Sequence, residues 1–301
     1  MSAPMPVPGL ENLCNLIRPL ATRPGFVGTR LAEVEVLSWS SYMASSPQIY
    51  EPSLMILAQG RKLARLGERT LDYGAGQYLV QALSVPFMCE TFASEAEPLY
   101  GVAVALDPLV LSEMVQAMDP LPAGMLRAQT PESMSSAPLD AALETALARL
   151  LECLQRDEDA RVMGAARVRE VYFAALNGPQ SGALRALVEQ QGHFARIGSA
   201  LAFLRDHYDQ PLSIDDLAGR ANMSASAFHE HFKRTTLLSP IQYLKRLRLL
   251  KAQQMLIGEG LGVAQVAHRV GYQSSSQFSR EYKRQFARNA GDELALHRAG
   301  L

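Results

Sequence analysis

Two short segments near the end of this 301-residue chain carry the side chains most suited to chemistry. The first presents Ser226, His229, Glu230 and Lys233 along one side, and the second presents Ser275, Ser276, Ser279, Arg280 and Lys283. These are the donors and acceptors that read base edges. A guanidinium such as that of Arg280 bonds bidentately to guanine, which discriminates by about 1–3 kcal/mol. His229 can donate to guanine or thymine acceptors. Glu230 can accept from a cytosine amino group, at the cost of repulsion from phosphates. Lys233, Arg234, Lys283 and Arg284 suit phosphates, which give affinity without sequence information. Ser224 and Ser274 stand where an N-cap is needed, and a helix start facing a phosphate gains from its free N–H groups and dipole. Any one of these residues alone reads equally well as part of a solvated helix face. The repeated array does not.

The elements that must position them occur twice. Ser224-Ala-Ser-Ala-Phe228-His-Glu-His-Phe232-Lys233-Arg234 returns fifty residues later as Ser274-Ser-Ser-Gln-Phe278-Ser-Arg-Glu-Tyr282-Lys283-Arg284. Phe228 with Phe232, and Phe278 with Tyr282, fall at i and i+4, so each pair packs on one helix face while the polar set lies opposite. A short apolar helix precedes each copy, Ile214 to Arg220 and Val263 to Arg269, with Ala218 and Ala267 small where helices cross. Helix, tight turn and basic second helix make the helix-turn-helix pattern. Two in one chain predict a protein that reads two nearby stretches of groove without a partner chain. Ser239-Pro240 opens a long helix between them, with Leu244, Leu247, Leu250 and Leu256 inside and Lys245, Arg246, Arg248 and Lys251 outside. Such a spacer holding the reading helices ~34 Å apart spans two successive major grooves. His229 and His231, at i and i+2, point apart and do not share a metal.

Charge agrees with this division. From His193 onward there are 15 Lys+Arg against 9 Asp+Glu, and the rest of the chain has 14 against 21. This asymmetry predicts one nucleic-acid-facing domain and one that is not. Three scattered cysteines, Cys14, Cys89 and Cys153, form neither a disulfide framework nor a zinc site. The start of the chain does not read as a signal peptide, and no apolar run approaches the ~20 residues of a membrane span. A cytoplasmic protein with no membrane association is expected.

The first half reads differently. Leu10 to Leu20 is a short amphipathic helix after a loose Pro-rich start. Short strand-like segments then follow: 34–39, 53–58, 62–66, 70–73, 77–80, 87–92 and 99–105, with turn residues between them. This is the pattern of a β-sandwich or small barrel. Asp107-Pro108 caps a helix, and helices over 109–118, 139–155 and 162–176 succeed it. Leu139, Leu143, Leu147, Leu150, Leu151 and Leu154 form one stripe, read as core packing or a dimer seam. Arg61, Lys62, Arg65 and Arg69 are candidate anion-binding residues, Arg61 and Arg65 sharing a strand face; the alternative is an exposed, charged edge strand. Cys89 is either a reactive sensor or a buried structural thiol.

Ser224-x-x-x-Phe228-x-x-x-Phe232-Lys233, Ser239-Pro240-x-x-Tyr243-x-x-x-x-Arg248-Leu249-x-x-Ala252 and Val266-Ala267-x-x-Val270-Gly271-Tyr272-x-x-x-Ser276-x-Phe278-Ser279-Arg280-x-Tyr282-Lys283 together resemble the AraC/XylS family of bacterial transcription regulators. The match covers about 197–289. More weakly, Gln59-Gly60-Arg61-Lys62 and Asp72-Tyr73-Gly74-x-Gly76-Gln77-Tyr78 resemble the cupin-like sensor domain of a subgroup of that family. The resemblance implies an α+β chain in four parts. These are an arm and helix over 1–27, a cupin-like barrel or sandwich over 28–106, a helical linker and dimerisation region over 107–192, and an all-α double helix-turn-helix domain over 193–301. It implies a homodimer that binds double-stranded DNA, contacts RNA polymerase and responds to a small-molecule effector, such as a cyclic dinucleotide or an aldehyde, with no cofactor. A cupin-type metal enzyme is the competing reading, but it needs histidines in the barrel, and all six lie at or beyond His193. The sequence departs from the family at Leu237-Leu238, where glycine is usual, and at Phe286-Ala287-Arg-Asn-Ala290, where Phe-Gly-x-x-Pro is usual. Both departures remove residues that accept positive φ or stop a helix.

Overall fold

The computed structural model describes residues 8–118, 131–188 and 192–298. Residues 1–7 of the Pro-rich start, 119–130 and 189–191 of the expected helical linker, and 299–301 lie outside the described residues.

The N-terminal half is two antiparallel sheets. Strands β1 (Gly25–Gly28), β2 (Val34–Trp39), β9 (Leu99–Ala105), β4 (Ser53–Gln59), β7 (Gln77–Gln81) and β10 (Met134–Pro138) form the larger sheet in that order. Strands β3 (Met43–Gln48), β8 (Phe87–Phe92), β5 (Arg61–Leu66) and β6 (Arg69–Gly74) form the smaller one. Alternation drives the pleat. On β8, Phe87, Cys89 and Thr91 are buried while the residues between them are half-exposed. On β4 the residues from Ser53 to Ala58 are all buried, as suits a central strand covered on both faces.

Three strands were not expected from the sequence, and each lies at the end of a sheet. β3 reads Met-Ala-Ser-Ser-Pro-Gln, too polar to signal a strand, and its pairing to β8 shifts register between Met43 and Ser46. Proline is tolerated there because an edge strand need not donate on both sides. β10 pairs with β7 from inside the segment read as helical linker, and β1 begins before residue 28. The alternative reading of Arg61 to Arg69 as a charged edge strand is corrected for β5, which lies between β8 and β6.

Helix α1 (Pro8–Ile17) lies against β4 and β9 with Leu13 and Ile17 buried. α2 (Pro108–Ala117) starts where Asp107 accepts from the N–H groups of Leu109 and Val110, with proline at a first-turn position. α3 (Ala141–Cys153) and α4 (Asp157–Asn177) pair, and α5 (Ser181–Val188) leads to the C-terminal half. The leucine stripe is not a free seam. Leu143, Leu147, Leu150, Leu151 and Leu154 are all buried within the chain's own core.

The C-terminal half comprises α6 (His193–Asp206), α7 (Ile214–Arg220), α8 (Ala225–Thr236), α9 (Pro240–Gly258), α10 (Val263–Arg269), α11 (Ser275–Phe286) and α12 (Ala290–Arg298). One continuous core runs from Leu13 through the sandwich to Phe228, Tyr243 and Leu247. A second, separate core gathers Leu249, Ala252, Leu256, Val266, Phe278, Tyr282 and Leu294. Helix α9 therefore serves the first core with its beginning and the second with its end.

Each motif closes with a left-handed residue that is not glycine: Leu237 at φ +59° and Ala287 at φ +56°. The turn geometry survives both departures, at a steric cost of about 1–2 kcal/mol each. Leu237 is partly exposed beside the Gly67 turn between β5 and β6. Ala287 is exposed. Ala287→Gly is expected to raise stability by about 0.5–1 kcal/mol, seen as a thermal midpoint a few degrees higher. An unchanged or lower midpoint contradicts strain at this turn.

Candidate nucleic-acid interface and effector site

The two recognition helices α8 and α11 are built alike. Ser224 Oγ accepts from Ala227 N at 3.3 Å, and Ser274 Oγ accepts from Gln277 N at 3.3 Å. Both serine hydroxyls cap their helices, each satisfying one first-turn N–H group, and the other first-turn N–H groups have no intrahelical acceptor. Phe228 and Phe232 are fully buried, as are Phe278 and Tyr282. Their rings lie 5.4 Å apart in each pair, tilted at 54° and 49°. The opposite faces are open: Ser226, His229, Glu230, Lys233 and Arg234 are exposed on α8, and Ser275, Ser276, Ser279, Arg280, Lys283 and Arg284 on α11. Among the described residues, Lys233, Arg280, Lys283 and Arg284 form no salt bridge, so their charge is available to a polyanion. Ser279 Oγ donates to Ser275 O at 2.9 Å. Arg234 lies 2.6 Å from His231 Nδ1, and the His231 ring stacks on His193 at 3.8 Å. His231 thus packs on α6 while His229 faces outward.

The residue that joins the two motifs is Arg248. Read as outward-facing, it is in fact half-buried and clamped. Nε donates to Tyr208 O at 2.6 Å, Nη2 to Gln210 O at 2.9 Å and Nη1 to Gly271 O at 3.2 Å. The first two carbonyls belong to the α6–α7 connection, the third to the turn of the second motif. Gly271 has φ +84°, and a Cβ there would meet Asp209 O at 2.4 Å, so the close approach requires glycine. Lys245 is likewise engaged, 3.0 Å from Glu281 of α11. Tyr272 Oη donates to the same carboxylate at 2.8 Å.

The first motif is also fastened to the sandwich. Tyr243 Oη donates to Ser84 O at 2.7 Å, and Arg205 pairs with Glu51. A cavity of about 340 Å³ lies in this junction, lined by Glu51, Leu83, Ser84, Leu106, Gly198 and Arg205 among others.

The candidate effector residues are split by the sandwich wall. Arg61, Arg65 and Arg69 stay outside, each opposite an acid: Asp72 at 2.9 Å, Glu90 at 3.7 Å and Glu132 at 2.6 Å. Arg61 also stacks 4.0 Å over the Phe92 ring. Lys62 points the other way and is 1% exposed. Its ladder partners are Tyr73 and Thr91, and Cys89 is the diagonal neighbour on the same inner face. Its amine lies 4.2 Å from the Trp39 ring, 5.8 Å from Phe26 and 5.9 Å from Tyr50. Burial pulls the Lys62 amine below the usual lysine range and pushes the Cys89 thiol up. Cys89 is therefore an interior thiol, buried on the same inner face as Lys62. Among the described residues no cluster of histidine, cysteine and acid could hold a metal ion, and no helix is long and apolar enough to cross a membrane.

Comparison with known proteins bears on this arrangement. A family model described as the AraC-type transcriptional regulator N-terminus matches residues 30–183, half of the chain. The chain belongs to this AraC-type family. A helix-turn-helix domain model matches 217–293, the span that holds both recognition helices of this AraC-type chain. The HTH-type transcriptional activator RhaS of Citrobacter koseri is 35% identical over 92 residues, 31% of this chain and 33% of that one. RhaS of Klebsiella pneumoniae is 34% identical over 98 residues, 33% and 35% of the two chains. The chain thus spans about a third of the length of the curated relatives it matches. The structure of an apo ToxT variant from Vibrio cholerae superposes with a TM-score of 0.57 at 7% identity, covering 90% of this chain and 98% of that one. Unsaturated fatty acid bound wild-type ToxT superposes with a TM-score of 0.54 at 9% identity, covering 87% and 94%. At these identities the likeness is one of fold, a sandwich followed by a helical half.

Arg248→Met is expected to cost about 1–3 kcal/mol, since it leaves carbonyls without donors in a half-buried site. Urea unfolding measures this. A loss below about 0.5 kcal/mol contradicts a clamp role.

Proposed function

We propose that this AraC-type chain is a sequence-specific DNA-binding regulator whose sandwich senses a small molecule. The carrying observation is the duplicated, capped recognition helix, with every base-reading and phosphate-reading candidate exposed on one face while its aromatics are buried. Helices α8 and α11 enter successive major grooves, joined by α9, whose 19 residues span about 28 Å at 1.5 Å each. Ser226, His229, Glu230, Ser275, Ser276, Ser279 and Arg280 read bases. Ser224, Lys233, Arg234, Ser274, Lys283 and Arg284 hold phosphates, the serines through their helix starts. Partners in this reading are double-stranded DNA, RNA polymerase, an effector and a second copy of the chain. Sensing draws support from the ToxT structure bound to an unsaturated fatty acid, and activation from the RhaS relatives. The effector meets the residues turned inward, Lys62 and Cys89. Arg61, Arg65 and Arg69 would first have to exchange their acidic partners.

Selection from random DNA with the intact chain tests the reading. Arg280→Ala is expected to relax preference at one position by about 1–3 kcal/mol. Lys283→Ala is expected to weaken all sequences alike and to flatten the salt slope by about one unit. An unchanged base preference for the arginine variant, or a base-specific loss for the lysine variant, overturns these assignments.

A further inference from the structure

We propose that the interior of the sandwich receives the acid group of a small organic carboxylate, with Lys62 as its counter-ion and Phe26 and Tyr50 as an aromatic lid over Trp39. This rests on the reading of the N-terminal half as a sensor, and names its site and ligand class.

The first ground is an unmet demand. Lys62 is 99% removed from solvent, yet among the described residues its amine has neither an ion pair nor a hydrogen-bond acceptor. The nearest acids along the ladders face outward: Asp72 is held by Arg61 and Glu90 by Arg65. The pleat thus places every neighbouring carboxylate outside and one cation inside. Burying an ammonium without a counter-charge is among the most expensive arrangements in a protein. The Trp39 face, 4.2 Å away, attracts the charge but satisfies none of its three N–H donors. The missing partner is an anion.

The second ground is the surroundings. One cation balances one negative charge, so a monoanion fits better than a phosphate dianion. Thr91, Tyr50 and Cys89 lie beside the amine as neutral groups able to donate to a second oxygen. The walls are aromatic: Phe26 packs edge-on against Trp39 at 5.5 Å and against Tyr50 at 5.3 Å, and Tyr50 packs against Phe87 at 5.0 Å. An acid with an apolar body matches this lining.

The third ground is access and consequence. Phe26, Trp39 and Tyr50 are only half-buried. Phe26 sits on β1, the last strand of its sheet, and Tyr50 lies two residues beyond β3, the last strand of the other. Phe26 and Tyr50 can move with these edges without breaking a central ladder, whereas Trp39, on β2 and paired with Leu99 of β9, stays in place beneath them. Tyr50 is followed by Glu51, which pairs with Arg205 of α6 and accepts from Ser84 Oγ at 3.2 Å. Moving the lid therefore moves the contact that fastens the first helix-turn-helix motif to the sandwich.

Trp39 is the only tryptophan of the chain, so its emission reports on this box alone. The full chain is titrated with phenylacetate, phenylacetamide and phenylacetaldehyde, which share one body and differ in head group, and with acetate as the bare anion. A saturable change in emission with phenylacetate or acetate, at least tenfold weaker with the amide and absent in Lys62→Met, is the expected result. An equal response to the amide, no response to either carboxylate, or an undiminished response in folded Lys62→Met overturns the proposal. An aldehyde adduct on Lys62, trapped by cyanoborohydride and located by mass, with no carboxylate response, also overturns it by making the amine a nucleophile. DNA binding is followed by mobility shift in the same samples. A silent Trp39 with intact DNA binding sinks this proposal alone, whereas absent DNA binding under every condition sinks the regulator reading.

Discussion

A guanidinium carries five N–H donors in a fixed plane, and backbone carbonyls can engage it from several directions at once. Arg248 uses this to hold Tyr208 O and Gln210 O at one end of the DNA-reading half and Gly271 O at the other. Two recognition helices on a flexible spacer would each read DNA weakly and in any relative register. A rigid spacer turns the pair into one reader. Helix α9 supplies that stiffness by lying in both cores, with Tyr243 and Leu247 in the first and Leu249, Ala252 and Leu256 in the second. Arg248 stands between these two sets, so the angle between the motifs is fixed where the cores meet.

The two motifs are not equivalent toward the rest of the molecule. The first shares its core with the sandwich and is fastened by Tyr243 to Ser84 O and by Arg205 to Glu51. The second packs on its own core and reaches the first through α9, Arg248 and the Lys245–Glu281 pair. A change in the sandwich therefore acts first on α6 and the first motif. It reaches the second through the clamp and through the direct contact of α11 with β3. The unpaired Lys62 sits at the start of that route, because its lid residue Tyr50 adjoins Glu51.

Much of the helical half was legible because its signals are local. Ser224, Ser239-Pro240 and Ser274 each cap a helix where the sequence places a cap. Aromatics spaced i, i+4 are buried because that spacing allows only one face. What escaped was set by distant pairing. β1, β3 and β10 are short, polar or Pro-containing strands held by their neighbours. Arg61 and Arg65 do share a face, as alternation requires, but only the register shows Asp72 and Glu90 beside them. Arg248 looked like one more outward cation beside Lys245, since its acceptors lie 23 to 40 residues away in the chain. Leu237 and Ala287 still adopt the left-handed turn without glycine, because the packed helices on either side dictate it.

The most direct test of the rigid double reader is the spacing of its DNA. A selected site carrying both reading blocks is remade with 5 bp and with 10 bp inserted between them, and binding is measured by titration at fixed salt. A rigid reader loses one block in either case, so both insertions should weaken binding to the level of a site with a single block. Full affinity with either insertion would contradict the account, because it would mean that the two helices adjust independently and that α9 and Arg248 do not fix their separation.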